Sequence, residues 1–113
     1  MTKKKYRVEY LPTASDDMDD IYSHIAFRLR ERQVAKRQLG RLYQAVRRLD
    51  AFPERHQKVD WEPWSSLEVR SLPVDNDIIY YLVDHESALV SVVRVVYGGR
   101  NIEDIINDLE IIH

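Results

Sequence analysis

The sequence of 113 residues has no cysteine, only three glycines and only four prolines. The missing cysteine excludes disulfides, thiolate nucleophiles and cysteine-based zinc or iron–sulfur sites. No apolar run approaches the ~18 residues that a membrane span needs, and residues 1–6 are too polar for a signal peptide. We therefore expect one cytoplasmic domain over residues 1–113, with no membrane partner.

The net charge is only −2, but the charges are distributed unevenly. Residues 28–48 contain eight basic side chains and a single acidic one, Glu31. Acidic residues collect instead at positions 16–20 and 103–110. A local field of this kind can bind an acidic partner even when the whole molecule is nearly neutral. The alternative interpretation is a solvated helix face without a partner.

Hydrophobic periodicity predicts a strand followed by a helical hairpin. Residues 6–10 alternate between apolar and polar side chains, as a half-buried strand does. Two stripes with three- and four-residue spacing then predict helices over residues 14–30 and 35–49. Gly40 lies within the second helix, which favours a close backbone contact there. The stripes are Ala14, Met18, Ile21, Tyr22, Ile25 and Leu29, and then Ala35, Leu39, Leu42, Val46 and Leu49.

The second half of the chain predicts a loop, three strands and a helix. Residues 54–66 have no clear period, and their two tryptophans favour packing on the core over a base-stacking platform. Strands are expected at residues 67–72, 78–83 and 89–97, the last apolar enough to be central and covered on both sides. Asn101 is suited to cap a final helix. The order β-α-α-β-β-β-α predicts an α+β domain, with the hairpin packed on a small, mainly antiparallel four-stranded sheet.

Six short motifs occur along this order of elements. They are YRVEY at residues 6–10, DDIYSHI at 19–25, RLDAFP at 48–53, VRSLPV at 69–74, IYYLV at 79–83 and RVVYGGR at 94–100. In this succession they resemble the RelE/ParE superfamily of bacterial toxins, the toxic halves of type II toxin–antitoxin pairs. The resemblance extends from residue 6 to about residue 109. The ends of the third and sixth motifs are more similar to the ParE branch than to the RelE branch.

The resemblance to ParE implies a toxin of a plasmid-stabilisation module that inhibits growth by binding DNA gyrase, without hydrolytic chemistry. The alternative is the RelE branch, whose members cut messenger RNA on the ribosome with basic side chains and so stop translation. Toxins of both branches are held silent by a cognate antitoxin, whose flexible segment wraps them. Either branch implies a cytoplasmic protein without a cofactor.

The candidate site residues differ between the two branches. In a nuclease, cations must stabilise the phosphorane charge. By resemblance, Arg70 and Arg100 occupy basic positions of RelE-type nucleases. The available proton carrier is Tyr97 or His85. An arginine of that pattern is replaced here by Ile78, and the loss of one such cation costs on the order of 3 kcal/mol. A target-binding loop at the end of the last strand is therefore favoured. Its residues are Tyr97, Gly98, Gly99 and Arg100.

Arg94 lies within the most apolar strand and is expected to be structural. A buried arginine is more often the partner of a carboxylate than a catalyst. The carboxylates considered as partners are Asp77, Asp84 and Glu68.

The helical hairpin is the expected docking surface for an antitoxin. An amphipathic or extended acidic peptide would gain apolar burial there, together with attraction from the basic residues. The residues expected to bind it are Arg30, Lys36, Arg37 and Arg41. The four histidines have no metal-ligand spacing, so no metal site is expected.

Overall fold

The computed structural model describes residues 5–98, which form a four-stranded sheet covered by a helical hairpin. The strand order is β1-β4-β3-β2, in which β1 runs parallel to β4 and the other two pairings are antiparallel. The predicted α+β class is confirmed, and the predicted final helix lies outside the described residues. The elements are β1 (Arg7–Tyr10), α1 (Pro12–Ser23), a π-helical turn (His24–Arg28), α2 (Arg32–Arg47), β2 (Arg70–Val74), β3 (Asp77–Asp84) and β4 (Leu89–Val96).

Strand β4 is central, and both of its faces are covered. Val92 and Val95 pack with the apolar side chains of α1 and α2. Val93 and Val96 face the other way and pack against Trp64. These contacts confirm the prediction of a central strand that is buried on two sides. A strand with two buried faces tolerates apolar residues at nearly every position.

The loop before β2 forms the second cover of the sheet. Trp64 is buried, its ring stacks on that of Trp61 with 5.0 Å between centroids, and it meets the ring of Tyr80 edge-on at the same separation. The prediction that the tryptophans pack on the core is confirmed. Strand β2 starts at Arg70 and continues through Pro73, later than predicted; proline is tolerated there because β2 is an edge strand.

The hairpin differs from the prediction where α1 ends. The N–H of Leu29 bonds to the carbonyl of His24, five residues back, at 3.1 Å, which marks a π-helical turn. A wider turn rotates the residues that follow it. Ala26 is therefore buried, whereas Leu29 is 56% exposed instead of continuing the apolar stripe. Arg30 then adopts a φ of 55° as the chain reverses into α2.

Helix α2 buries the stripe that its periodicity predicts, from Ala35 to Val46, and Leu49 beyond it is buried as well. The expected close contact at Gly40 is wrong. No atom lies within 4 Å of the place where a Cβ would stand, because Gly40 is on the solvent side of the helix. Within residues 5–98, no helix is long and apolar enough to cross a membrane.

Candidate functional site

The end of β4 is held between the hairpin and the turn that joins β2 to β3. The ring of Tyr97 stacks on that of His24, with 5.3 Å between centroids. The N–H of Gly98 donates to Oδ1 of Asp77 at 3.3 Å. A Cβ on Gly98 would stand 2.9 Å from the backbone oxygen of Asn76, so this approach requires glycine.

A pocket of about 600 Å³ opens beside this strand end. Ile21 and Ile25 of the hairpin line it together with the Tyr97 ring, and Asp77 supplies a carboxylate. Asp77 is only 5% exposed, and its Oδ2 also accepts a hydrogen bond from Nε2 of Gln38 at 2.6 Å. A concave apolar wall beside a few fixed polar groups suits a side chain of a protein partner. Two of the predicted target-binding residues, Gly99 and Arg100, lie outside the described residues.

Arg70 donates hydrogen bonds to the backbone of the preceding loop. Its Nη1 donates to the carbonyl of Glu54 at 2.9 Å and to that of His56 at 2.7 Å. Burial lowers the pKa of His56, and the charges of Arg55 and Arg70 lower it further. The Arg70 side chain thus closes the loop onto β2.

Arg70 is not brought beside Tyr97. Strand register pairs Arg70 with Tyr81, whereas Val96 at the other end of the sheet pairs with Ile78. Ile78 and Tyr81 are three positions apart on β3, a distance of roughly 10 Å along the strand. Of the three candidate catalytic residues, Arg70 and Tyr97 therefore lie apart, and Arg100 is outside the described residues.

Arg94 makes a buried two-point ion pair with Asp17 of α1. Its Nε donates to Oδ2 at 2.6 Å and its Nη2 to Oδ1 at 2.8 Å. The expectation that its partner is Asp77, Asp84 or Glu68 is wrong. The signal that sequence reasoning missed lies in α1, where Asp17 occupies the buried face three residues after Ala14.

The same carboxylate also closes an edge of the sheet. Strand β1 pairs with β4 only as far as Val92. Beyond that point Oδ2 of Asp17 accepts the N–H of Val95 at 2.9 Å. Asp17 therefore satisfies both a guanidinium and a backbone group that no strand covers.

The predicted antitoxin-binding residues form an exposed basic surface on the hairpin. Arg41 also makes an ion pair with Asp75 in the β2–β3 turn, at 3.1 Å. At the tip of the hairpin, Phe27 is 58% exposed, and the guanidinium of Arg32 lies 5.7 Å from the centre of its ring. This surface therefore combines cations with exposed apolar area. Its predicted members are Arg30, Lys36, Arg37 and Arg41.

Each histidine of the described region contacts a different tyrosine. His56 meets the ring of Tyr81 edge-on, and Nδ1 of His85 lies 2.8 Å from the hydroxyl of Tyr6. Across residues 5–98, no three histidine, aspartate or glutamate side chains are grouped so that they could hold a metal ion.

Comparison with known proteins identifies the family of this chain. The sequence profile of the family described as "ParE toxin of type II toxin-antitoxin system, parDE" matches residues 8–102. The chain belongs to the ParE toxin family. No match is found among curated proteins.

Two solved structures share the fold of this ParE-family chain. One is the chromosomal ParDE toxin–antitoxin system from P. aeruginosa, with a TM-score of 0.69 and 16% identity over 84% of this chain and 98% of that chain. The other is the toxin–antitoxin complex RelBE2 from Mycobacterium tuberculosis, with a TM-score of 0.61 and 19% identity over 82% of this chain and 98% of that chain. These similarities confirm a RelE/ParE-like fold, with two helices packed on a mixed sheet.

Proposed function

We propose that this protein is the toxin of a type II toxin–antitoxin pair and that it acts in the cytoplasm by binding DNA gyrase. Membership of the ParE family supports the proposal. The observation that carries it is the strand end beside the pocket, where Tyr97 and Gly98 are held in place by contacts on two sides. A preorganised segment at the mouth of a pocket is suited to bind a protein surface. Its proposed members are Tyr97, Gly98, Gly99 and Arg100.

The surroundings of Arg70 favour binding over RNA cleavage. Cleavage needs cations aimed at the developing phosphorane charge. The Nη1 group of Arg70 is already bonded to two backbone carbonyls, and the position at which the RelE pattern has a further arginine is Ile78 here. Neither side chain supplies a free positive charge beside Tyr97.

An acidic antitoxin segment is the proposed partner of the basic hairpin surface. The two solved structures described above are both toxin–antitoxin assemblies by their descriptions. The exposed ring of Phe27 provides apolar area for such a partner, while Arg37 and Arg41 provide attraction. Binding there would keep the toxin inactive until the antitoxin is lost, which is how such a pair stabilises a plasmid.

Two assays with the purified chain test the proposed target. We expect inhibition of supercoiling by DNA gyrase and no cleavage of ribosome-bound messenger RNA. Codon-specific cleavage that disappears in Arg70→Ala would instead establish the RelE-type activity and overturn the proposal.

Two variants test the proposed binding segment in cells. Arg100→Ala and removal of the residues after Arg100 should each relieve growth arrest while the fold survives, because they remove contacts with the target and no described part of the core. Arg7→Ala, an exposed arginine on β1, is the matched control and should stay toxic. Growth arrest that persists in both test variants would exclude this segment.

A further inference from the structure

We propose that Gln38 and Asp77 are positioning residues that tie the target-binding segment to α2. The Asp77 carboxylate is shared between two elements: Oδ2 accepts from Gln38 of α2, and Oδ1 accepts from the N–H of Gly98. One side chain at the start of β3 thus links the hairpin to the end of β4. The functional consequence rests on the proposed function of that segment, whereas the geometric link does not.

The bonding of Asp77 is unusual for a buried carboxylate. The side chain is nearly inaccessible, yet within residues 5–98 it has no ion-pair partner. Burial of a charge without a counter-charge is costly, so its remaining hydrogen bonds must be strong and well placed. Both donors found here, the Gln38 amide and the Gly98 backbone, are neutral. Their directions fix the carboxylate more tightly than a mobile surface cation would.

The turn between β2 and β3 transmits the position of α2 to Gly98. The Asn76 backbone oxygen lies against Gly98, so the turn and the strand end cannot move independently. Arg41 reaches the same turn through Asp75, but both of these side chains are about half exposed. An exposed pair contributes little. The partly buried contact of Gln38 with Asp77 is therefore the stronger of these two polar connections between α2 and the turn.

This connection predicts that α2 influences both proposed partners. Lys36, Arg37 and Arg41 of the basic surface lie on the same helix as Gln38. A partner that shifts α2 would displace the target-binding segment without touching it. The size of such coupling is limited by the hydrogen bond that carries it, roughly a tenfold change in affinity.

The variant Gln38→Glu tests the link directly. It removes the donor and places a second carboxylate against Asp77, so the bond becomes a repulsion. Gln44→Glu is the matched control, since it makes the same change at an exposed position of the same helix. We expect amide hydrogen exchange at Gly98, followed by NMR, to become roughly tenfold faster in Gln38→Glu. It should stay unchanged in the control.

A swapped pair separates positioning from loss of stability. In Gln38→Glu combined with Asp77→Asn, the asparagine amide can donate to the new glutamate while its oxygen still accepts from Gly98. We expect this double variant to restore slow exchange at Gly98 and inhibition of supercoiling. Gln38→Met, which keeps the size of the side chain without a donor, replaces Gln38→Glu if that variant does not fold.

The outcomes distinguish this proposal from the proposed function. Exchange at Gly98 that is no faster in Gln38→Glu and Gln38→Met than in Gln44→Glu would overturn the positioning role. Faster exchange with full inhibition of gyrase would support the link but contradict the assigned function of the segment. Faster exchange, weaker inhibition and rescue by the swapped pair would support both.

Discussion

Two aspartates in this protein are buried to nearly the same extent but are bonded by different kinds of donor. Asp17 is 4% exposed and is neutralised by Arg94 and a backbone N–H. Asp77 is 5% exposed and is bonded by Gln38 and the N–H of Gly98. Burial alone therefore does not tell which carboxylate belongs to the permanent framework.

The difference lies in what each carboxylate joins. Asp17 fixes α1 to the central strand, and both members of its ion pair with Arg94 are buried, so neither can be removed without leaving the other buried and without a counter-charge. Asp77 joins α2 to the exposed Gly98, where water can replace a lost bond. The first group is suited to hold the fold, and the second to position a surface segment.

The largest expected effect is on the framework pair. Asp17→Asn leaves the Arg94 guanidinium buried without a counter-charge and should lower the free energy of unfolding by ~3–5 kcal/mol, measured by urea denaturation. Asp17→Leu combined with Arg94→Met should cost less, because no charge is left buried. Asp16→Asn, on the exposed face of the same helix, should change stability by no more than about 0.5 kcal/mol. If Asp16→Asn and Asp17→Asn lowered the free energy of unfolding equally, Asp17 would not be part of the framework.

Alkaline pH tests the contribution of buried Tyr81 to the framework. Burial raises the pKa of Tyr81 to about 12, above its unfolded value of about 10. The stability from keeping this hydroxyl neutral is present below pH ~10 and is lost progressively as pH rises towards 12. Tyr81→Phe should make this fall smaller in urea titrations between pH 10 and 12, and Tyr10, whose pKa is also raised by burial to about 12, accounts for part of the remainder. A fall of the same size in Tyr81→Phe and in the wild type would contradict this assignment.

Asp77→Ala should cost less than the change at Asp17. Two neutral donors lose their acceptor, but Gly98 is open to water, so we expect a loss of about 1–2 kcal/mol in the free energy of unfolding. Asp75→Ala in the adjacent turn removes only an exposed ion pair and should cost no more than about 0.5 kcal/mol. A loss at Asp77 as large as that at Asp17 would contradict the division into framework and positioning groups.

The smallest effect on stability is expected at the exposed cations, where a charge reversal should change the rate of association with a partner instead. Reversing Arg37 and Arg41 to glutamate should slow association with an acidic antitoxin about tenfold at low salt and flatten its salt dependence, as measured by stopped-flow. Arg47→Glu with Arg48→Glu makes the same charge change outside the proposed surface. Association that is unchanged by the first pair, or slowed equally by the second, would count against this surface.

Local patterns were sufficient for much of the fold. The period of α2 predicted its buried face, and the uniform apolar character of β4 predicted its central place, because side-chain spacing follows directly from helix and strand geometry. The prediction for the hairpin tip was wrong because it also assumed regular helix geometry. A single π-helical turn changes the period, and nothing in the spacing of Ile25 and Leu29 reveals it.

The order of the elements, their apolar faces and the family resemblance can all be predicted from the sequence, since they depend on neighbours along the chain. Three contacts become visible only in the folded protein: Arg94 pairs with Asp17 across 77 positions, Arg70 bonds to backbone carbonyls, and Asp77 reaches both α2 and Gly98. Such partners are chosen by the packing of distant elements. The physical reason is that a buried charge must be satisfied by whichever donors the fold brings near, and spacing along the chain carries no record of them.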